Sequence, residues 1–87
     1  MRVTVELISP LNVVTGRMEP FVVELAQGAT TRDLIPVLGE LVKGSPLIHR
    51  AMGADGIMFL VNRVHVTPNN ALKEGDRVSL VLRISGI

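Results

Sequence analysis

The chain contains no cysteine, and this absence excludes several kinds of site. Without cysteine there are no disulfides, no thiolate metal ligands and no cysteine nucleophile. The sequence also lacks Trp and Tyr, and its only aromatic side chains are Phe21 and Phe59. Single-stranded nucleic acid therefore finds no series of aromatic rings on which its bases could stack.

An excess of charge of one sign is missing as well. The formal net charge is +1, and the nine Lys and Arg residues are scattered from Arg2 to Arg83. No basic cluster forms, which argues against binding to nucleic acid or to a membrane surface. The first residues lack the continuous apolar run of a signal peptide, and no stretch approaches the ~18 apolar residues of a membrane span. We therefore expect a cytoplasmic protein with no membrane and no nucleic-acid partner.

Residues that could support catalysis are few and dispersed. His49 and His65 have no partner at metal-ligand spacing, so no metal site is predicted. Asp33 and Glu40 lie seven positions apart in a helical segment, where paired acids are usually solvated surface rather than a general acid–base pair. Ser85 has no activating base near it in sequence. We expect no catalytic residue and no cofactor, and the chain is not itself an enzyme.

The composition provides one hydrophobic core. Val, Leu, Ile and Met supply most of the 47% hydrophobic content, and a chain of 87 residues fits a single domain spanning residues 1–87. Apolar residues alternate with polar ones, or form short apolar runs, in segments that indicate strands. These predicted strands are residues 2–9, 21–25, 57–61, 64–66 and 77–84.

One amphipathic helix is predicted between the second and third strands. Thr30 and Asp33 resemble a capping box, and an apolar stripe follows at Leu34, Leu38, Leu41 and Val42. Pro36 is tolerated if the helix begins near Asp33, because the missing N–H then falls in the first turn. We expect the helix to end near residues 43–44, with Gly44 as its C-terminal cap.

The order of elements predicts the topology. Residues 10–17 read as a connection, so the first two strands form a hairpin. A helical crossover then places the first and last strands side by side and parallel. The expected fold class is α+β, a β-grasp with a mixed sheet of four to five strands and one main helix on one face.

At residues 59–63, 71–78 and 84–87, three segments of the chain resemble the MoaD/ThiS family of ubiquitin-like sulfur carriers, which includes the small subunit of molybdopterin synthase. Residues 59–63 are similar to the family's strand that ends in an Asn turn. Residues 71–78 match its signature of Leu, two residues, Gly-Asp, one residue and Val. Residues 84–87, Ile-Ser-Gly-Ile, are similar to a Val-Ser-Gly-Gly tail whose last glycine is replaced.

The resemblance implies a function for the tail Ser85, Gly86 and Ile87. In the family, an ATP-dependent activating enzyme adenylates a C-terminal glycine carboxylate, which sulfur transfer then converts to a thiocarboxylate. The implied partners are that adenylating enzyme and a protein like the large subunit of molybdopterin synthase. Glycine suits such a tail because a residue without Cβ lets the backbone approach a nucleotide closely.

Ile87 departs from the family pattern, because its β-branched side chain restricts the approach of its own carboxyl group. Three explanations remain open. A processing protease removes Ile87 and leaves Gly86 as the terminus, the activating partner accepts Ile87, or the chain keeps the fold as an interaction module that carries no sulfur.

The sheet face away from the predicted helix is expected to dock a partner. An exposed apolar patch of this kind often marks an interaction site, and Arg63, Arg77 and Arg83 are placed around it as a charged rim. The alternative is that the connections at 10–17 or 45–56 shield part of it. The partner-binding residues predicted here are Ile8, Val22, Met58, Leu60, Val81 and Arg83.

Overall fold

The computed structural model describes residues 1–44 and 56–83 of the chain. The predictions for the connection at 45–55 and for the tail at 84–87 therefore lie outside the described residues. The elements are β1 (Arg2–Leu7), α1 (Leu11–Thr15), β2 (Phe21–Glu24), a 3-10 turn (Thr31–Asp33), α2 (Leu34–Val42), β3 (Ile57–Val61), β4 (Val64–Val66) and β5 (Arg77–Leu82).

The strands form one mixed sheet in the order β2-β1-β5-β3-β4. β1 and β2 pair antiparallel as a hairpin, whereas β1 and β5 pair parallel with Val5 opposite Val78. β3 lies antiparallel to both β5 and β4. The predicted parallel pairing of the first and last strands is confirmed, and so is the β-grasp fold class.

The core lies between the sheet and α2. Alternate residues of β1, β3 and β5 point towards the helix, and Phe59 and Val78 among them are 1% and 0% exposed. From α2, Leu34, Leu38 and Val42 are buried against this layer. The buried residues that strand alternation and helical spacing predicted therefore pack together in one core.

The connection predicted at residues 10–17 joins β1 to β2 and contains a short helix, α1, that the sequence analysis did not identify. Leu11 opens this helix and is 0% exposed. The Thr15 hydroxyl donates a hydrogen bond to the Leu11 carbonyl at 2.8 Å, and Gly16 ends the helix at φ 73°. Local propensity did not indicate α1, since a helix this short is stabilised by the burial of its apolar residue rather than by its own turns.

The start of the main helix and its end near residues 43–44 are confirmed, but the predicted cap is not. The Asp33 carboxylate accepts a hydrogen bond from the Thr30 backbone N–H at 2.8 Å, and Pro36 lies in the first turn of α2. The C-terminal cap is Lys43 in right-handed conformation, not Gly44, which is not among the glycines with positive φ. Gly44 therefore does not supply the left-handed cap that the sequence suggested.

Candidate functional site

The sheet face opposite α2, named here the open face, carries a row of apolar side chains. Met58 of β3 lies opposite Val81 of β5, and the Ile8 backbone N–H donates to the Leu80 carbonyl at 3.0 Å, which places Ile8 beside Val81. Leu60 is the next residue of β3 on the same face. Each of these four side chains is only partly buried. The structure thus brings Ile8, Val81, Met58 and Leu60 together as one apolar row.

Val22 lies on the open face but apart from the apolar row. It is opposite Thr4 in the β1–β2 pairing, and Thr4 is opposite Arg77 in the β1–β5 pairing. An ion pair between Arg77 Nη2 and Glu6 Oε2, at 2.6 Å, lies between this position and the row. Val22 is 61% exposed and is an isolated apolar residue on this face, not part of a continuous patch.

Two of the three arginines predicted as a charged rim, Arg77 and Arg83, lie beside the apolar row. Arg83 is exposed and lines a groove of about 210 Å³ together with Met58 and His65. Arg77 is held by Glu6, through both Nε and Nη2. Arg63 lies in the turn between β3 and β4 with φ 73°. Arg83 and Arg77 therefore border the row at its two ends along β5.

The connection between α1 and β2 borders the row and leaves it partly open. Met18 and Pro20 line a second groove, of about 330 Å³, together with Ile8 and Arg77. The connection therefore lies beside Ile8 and leaves a groove open next to it. The shielding proposed for residues 45–56 falls almost entirely outside the described residues.

The Leu-x-x-Gly-Asp-x-Val signature builds the turn before β5. Gly75 adopts φ 84°, a left-handed conformation that costs a residue with Cβ about 1–2 kcal/mol. Asp76 Oδ2 accepts the Lys73 backbone N–H at 2.8 Å, and Asp76 Oδ1 accepts the Asn62 side-chain amide at 3.1 Å. The Asn62 carbonyl oxygen Oδ1 in turn accepts the Arg77 backbone N–H at 3.1 Å. The signature and the Asn turn therefore form one hydrogen-bonded unit.

Loss of the Asp76 carboxylate should weaken this unit. We expect Asp76→Ala to lower the free energy of unfolding by about 1–3 kcal/mol, because two donors lose a charged acceptor. Urea denaturation measures the change. Lys73→Ala is the matched control, since its exposed side chain makes no hydrogen bond or ion pair within residues 1–44 and 56–83 and should shift stability by about 0.5 kcal/mol at most. Equal effects of the two changes would contradict the account of this turn.

The tail leaves the described structure beside the apolar row. β5 ends at Leu82, and the Arg83 backbone N–H donates to the Gly56 carbonyl at 2.7 Å. This hydrogen bond holds Arg83, the last described residue, next to the start of β3 and close to Met58. The predicted tail residues Ser85, Gly86 and Ile87 follow it and lie outside the described part of the chain.

Asp33, Glu40 and His65 were the other candidate site residues of the sequence that the structure describes. Asp33 is engaged by the Thr30 backbone, and Glu40 forms an ion pair with Lys43 at 3.1 Å. His65 is exposed, and no three His, Asp or Glu residues of the described ranges are placed to hold a metal ion. No helix within residues 1–44 and 56–83 is long and apolar enough to cross a membrane.

One carboxyl group on the edge hairpin has a shifted pKa. Arg2 Nε donates to Glu24 Oε1 at 3.1 Å, and this hydrogen bond lowers the pKa of Glu24 below its ordinary value. A lowered folded-state pKa stabilises the fold above the unfolded-state pKa, and this contribution disappears as the pH falls through the folded-state value.

Removing the Arg2 guanidinium should reverse the shift. We expect Arg2→Gln to raise the pKa of Glu24 towards its ordinary value, as measured by the pH titration of its side-chain carboxyl carbon in NMR. Because Glu24 is highly exposed, the effect on acid stability should be small. Arg32→Gln, on the 3-10 turn, is the control. An unchanged pKa of Glu24 in Arg2→Gln would show that the Arg2 contact is not the cause.

The fold and the open face define a ubiquitin-like β-grasp protein with a partly exposed apolar sheet. A family model places it more closely: the ThiS family matches residues 5–86, and the chain belongs to that family. Among curated proteins, none matches the sequence significantly.

Solved structures agree with this fold. The chain is similar to the small archaeal modifier protein from Haloferax volcanii, with 24% identity, a TM-score of 0.76 and coverage of 100% of both chains. It is also similar to a putative molybdopterin converting factor subunit 1 from Pyrococcus furiosus, with 21% identity, a TM-score of 0.70 and coverage of 97% of this chain and 99% of that one.

A third neighbour is a protein–protein complex of subunits 1 and 2 of the molybdopterin-converting factor from Helicobacter pylori, with 21% identity, a TM-score of 0.61 and coverage of 100% of both chains. At under 25% identity these solved structures show the ubiquitin-like fold, and the family model shows membership of the ThiS family.

Proposed function

We propose that this chain is a sulfur carrier whose reactive group is the carboxylate of Gly86. The observation that supports it most is membership of the ThiS family over a segment that extends to Gly86 and leaves Ile87 outside. In this proposal the chain contributes no acid, base or nucleophile beyond the Gly86 carboxylate itself, and the catalysis lies in partner enzymes. In this proposal the protein acts in the cytoplasm as a substrate that other proteins activate.

The chemistry proceeds in two substitutions. A carboxylate oxygen of Gly86 attacks the α-phosphorus of ATP and pyrophosphate leaves, which gives an acyl adenylate. A sulfur nucleophile supplied by a partner then attacks the carbonyl carbon, and AMP leaves with the electron pair of the broken bond. With hydrosulfide as that nucleophile, the new C–S bond forms as the C–O bond to AMP breaks, and loss of the S–H proton leaves a thiocarboxylate on Gly86.

The proposal includes removal of Ile87 by a processing protease. Gly86 has no Cβ and can bring its carboxylate close to a nucleotide in almost any backbone conformation. Ile87 would instead place a stiff, branched side chain next to the reacting carbon. The alternative form of the proposal is an activating enzyme whose channel accepts Ile87 as the terminal residue.

The open face gives the carrier a place to dock. The solved neighbour from Helicobacter pylori is a complex of two subunits, and we propose that the present chain likewise binds a protein like the large subunit of molybdopterin synthase. The apolar row ends at Met58 and Val81, beside the point from which the tail leaves at Arg83. Docking on the row would therefore place the tail near the partner's active site.

Adenylation by the host's own activating enzyme tests the proposal. Protein ending at Gly86 and protein ending at Ile87 are each incubated with the enzyme and ATP, and pyrophosphate exchange is measured. Exchange with the Gly86 form alone supports carrier function with processing. Exchange with the Ile87 form supports the alternative channel. Exchange with neither form overturns the proposal.

A second candidate function is an interaction module that carries no sulfur. The observation that favours it is the apolar row itself, which is partly exposed whatever the tail does. Such a module would bind a larger partner through the sheet and would need no activating enzyme. The two candidate functions use the same docking surface. They differ in whether the Gly86 carboxylate is adenylated and converted to a thiocarboxylate.

A charge in the apolar row should weaken docking strongly under either candidate function. We expect Leu60→Asp to weaken binding to the large-subunit-like partner by about 30-fold or more, because hot-spot residues contribute about 2 kcal/mol or more. Isothermal titration calorimetry measures the affinity, and circular dichroism checks the fold. Thr4→Asp is the control, since Thr4 lies on the same face outside the row. Unchanged affinity of Leu60→Asp would remove the row from the interface.

A further inference from the structure

The thioether of Met18 stands out among the methionines of this chain. It lies between α1 and β2 and is 61% exposed, whereas the Met1 side chain is 1% exposed. Met58 is partly buried within the sheet. Because the chain has four methionines and no cysteine, methionine is its only sulfur-bearing residue type, and Met18 is the most accessible of the three that the structure describes.

We propose that Met18 is an oxidation site at which a peroxide makes methionine sulfoxide without unfolding the protein. The sulfur lone pair attacks one oxygen of hydrogen peroxide, an S–O bond forms and the O–O bond breaks. The sulfur loses two electrons, the peroxide is reduced, and water leaves after proton transfer. Accessibility of the sulfur decides which methionine reacts first.

The position of Met18 explains why the fold survives the reaction. Its side chain is not among the residues that form or pack against the hydrophobic core, so the polar sulfoxide stays at the surface. Oxidation of Met1, whose side chain is buried, would instead place a polar group in an apolar environment. Oxidation of Met18 should therefore alter the chemistry of the surface without lowering the free energy of unfolding.

The surface that changes is the groove beside the apolar row. Met18 lines this groove together with Ile8 and Arg77, and sulfoxide formation replaces a flexible apolar side chain by a polar one. The altered groove adjoins the docking surface; that consequence rests on the proposed function, whereas the oxidation itself does not.

Peptide mapping after peroxide treatment tests the site. Met52, which lies outside the described residues, is replaced in a Met52→Leu protein so that Met1, Met18 and Met58 alone report. The folded protein is treated with hydrogen peroxide and sampled over time by mass spectrometry. We expect Met18 to react about tenfold faster than Met1 and faster than Met58. Equal rates, or faster oxidation of Met58, would overturn the proposal.

Two-dimensional NMR of the oxidised protein then tests the consequence. We expect the amide shifts to change around Ile8 and Arg77 while the dispersed spectrum of the folded state persists, and methionine sulfoxide reductases should restore the original spectrum. Met18→Leu, treated with the same peroxide dose, should show none of these changes. Collapse of the spectrum, or the same shifts in Met18→Leu, would contradict the assignment of Met18.

Discussion

Replacing Leu11 by Ala is expected to lower the free energy of unfolding by about 2–5 kcal/mol. Leu11 is 0% exposed and belongs to the hydrophobic core, so the substitution removes buried apolar surface and leaves a cavity. A loss of this size is a large part of the about 5–15 kcal/mol that stabilises a typical domain. Urea unfolding followed by circular dichroism measures it.

The control for Leu11 lies on the same short helix. Val13 is 66% exposed, so Val13→Ala should change the free energy of unfolding by about 0.5 kcal/mol or less. A large loss in Leu11→Ala with a small one in Val13→Ala would show that α1 contributes through its buried residue. Similar losses in both variants would contradict the placement of Leu11 in the core.

Replacing Gly86 by Val, in protein that ends at residue 86, is expected to reduce adenylation by about 100-fold or more. A displacement of about 1 Å at a reacting group can cost that factor, and a β-branched side chain restricts the carboxylate's approach where glycine does not. The initial rate of ATP–pyrophosphate exchange with the host's activating enzyme measures the effect.

The tail offers a close control for this change. Ser85→Ala alters the neighbouring residue without adding bulk beside the carboxylate, and it should leave the rate within about threefold of the unchanged tail, less than the factor of ten that 1.4 kcal/mol represents. Unfolding measurements should show equal stability for both variants. If Gly86→Val is adenylated as fast as Ser85→Ala, the steric argument for glycine does not hold.

The sheet and its main helix were predictable because their signals are periodic. The alternation of Val3, Val5 and Leu7 assigned the buried face of β1, and all three residues are buried. The helical stripe and the Thr30–Asp33 capping pattern located the start of the main helix. Each of these signals repeats over several residues of a regular element, so local sequence was sufficient.

Other features depended on contacts between distant segments. α1 has only five residues, two of them β-branched valines with low helix propensity, and its formation follows from the burial of Leu11. The separation of Val22 from the apolar row depends on the register that brings Glu6 and Arg77 together across β1 and β5. Strand alternation assigns a residue to a face but does not give its neighbours on that face.

The family signature also has a clear physical meaning. Leu72 and Val78 are 5% and 0% exposed, while Gly75 and Asp76 shape the turn between them. These residues identify the fold because they build it, and a protein could retain all of them without any carrier chemistry. The functional proposal therefore depends on Gly86, and its docking component depends on the apolar row.

Whether Gly86 carries sulfur can be read from the mass of the intact protein isolated from its native host. We expect a polypeptide whose C-terminal residue is Gly86, with a fraction heavier by about 16 Da because sulfur replaces one carboxylate oxygen. Fragmentation by tandem mass spectrometry would place that increment on Gly86. A polypeptide that retains Ile87 and carries no such increment, isolated under conditions that preserve thiocarboxylates, would contradict the account.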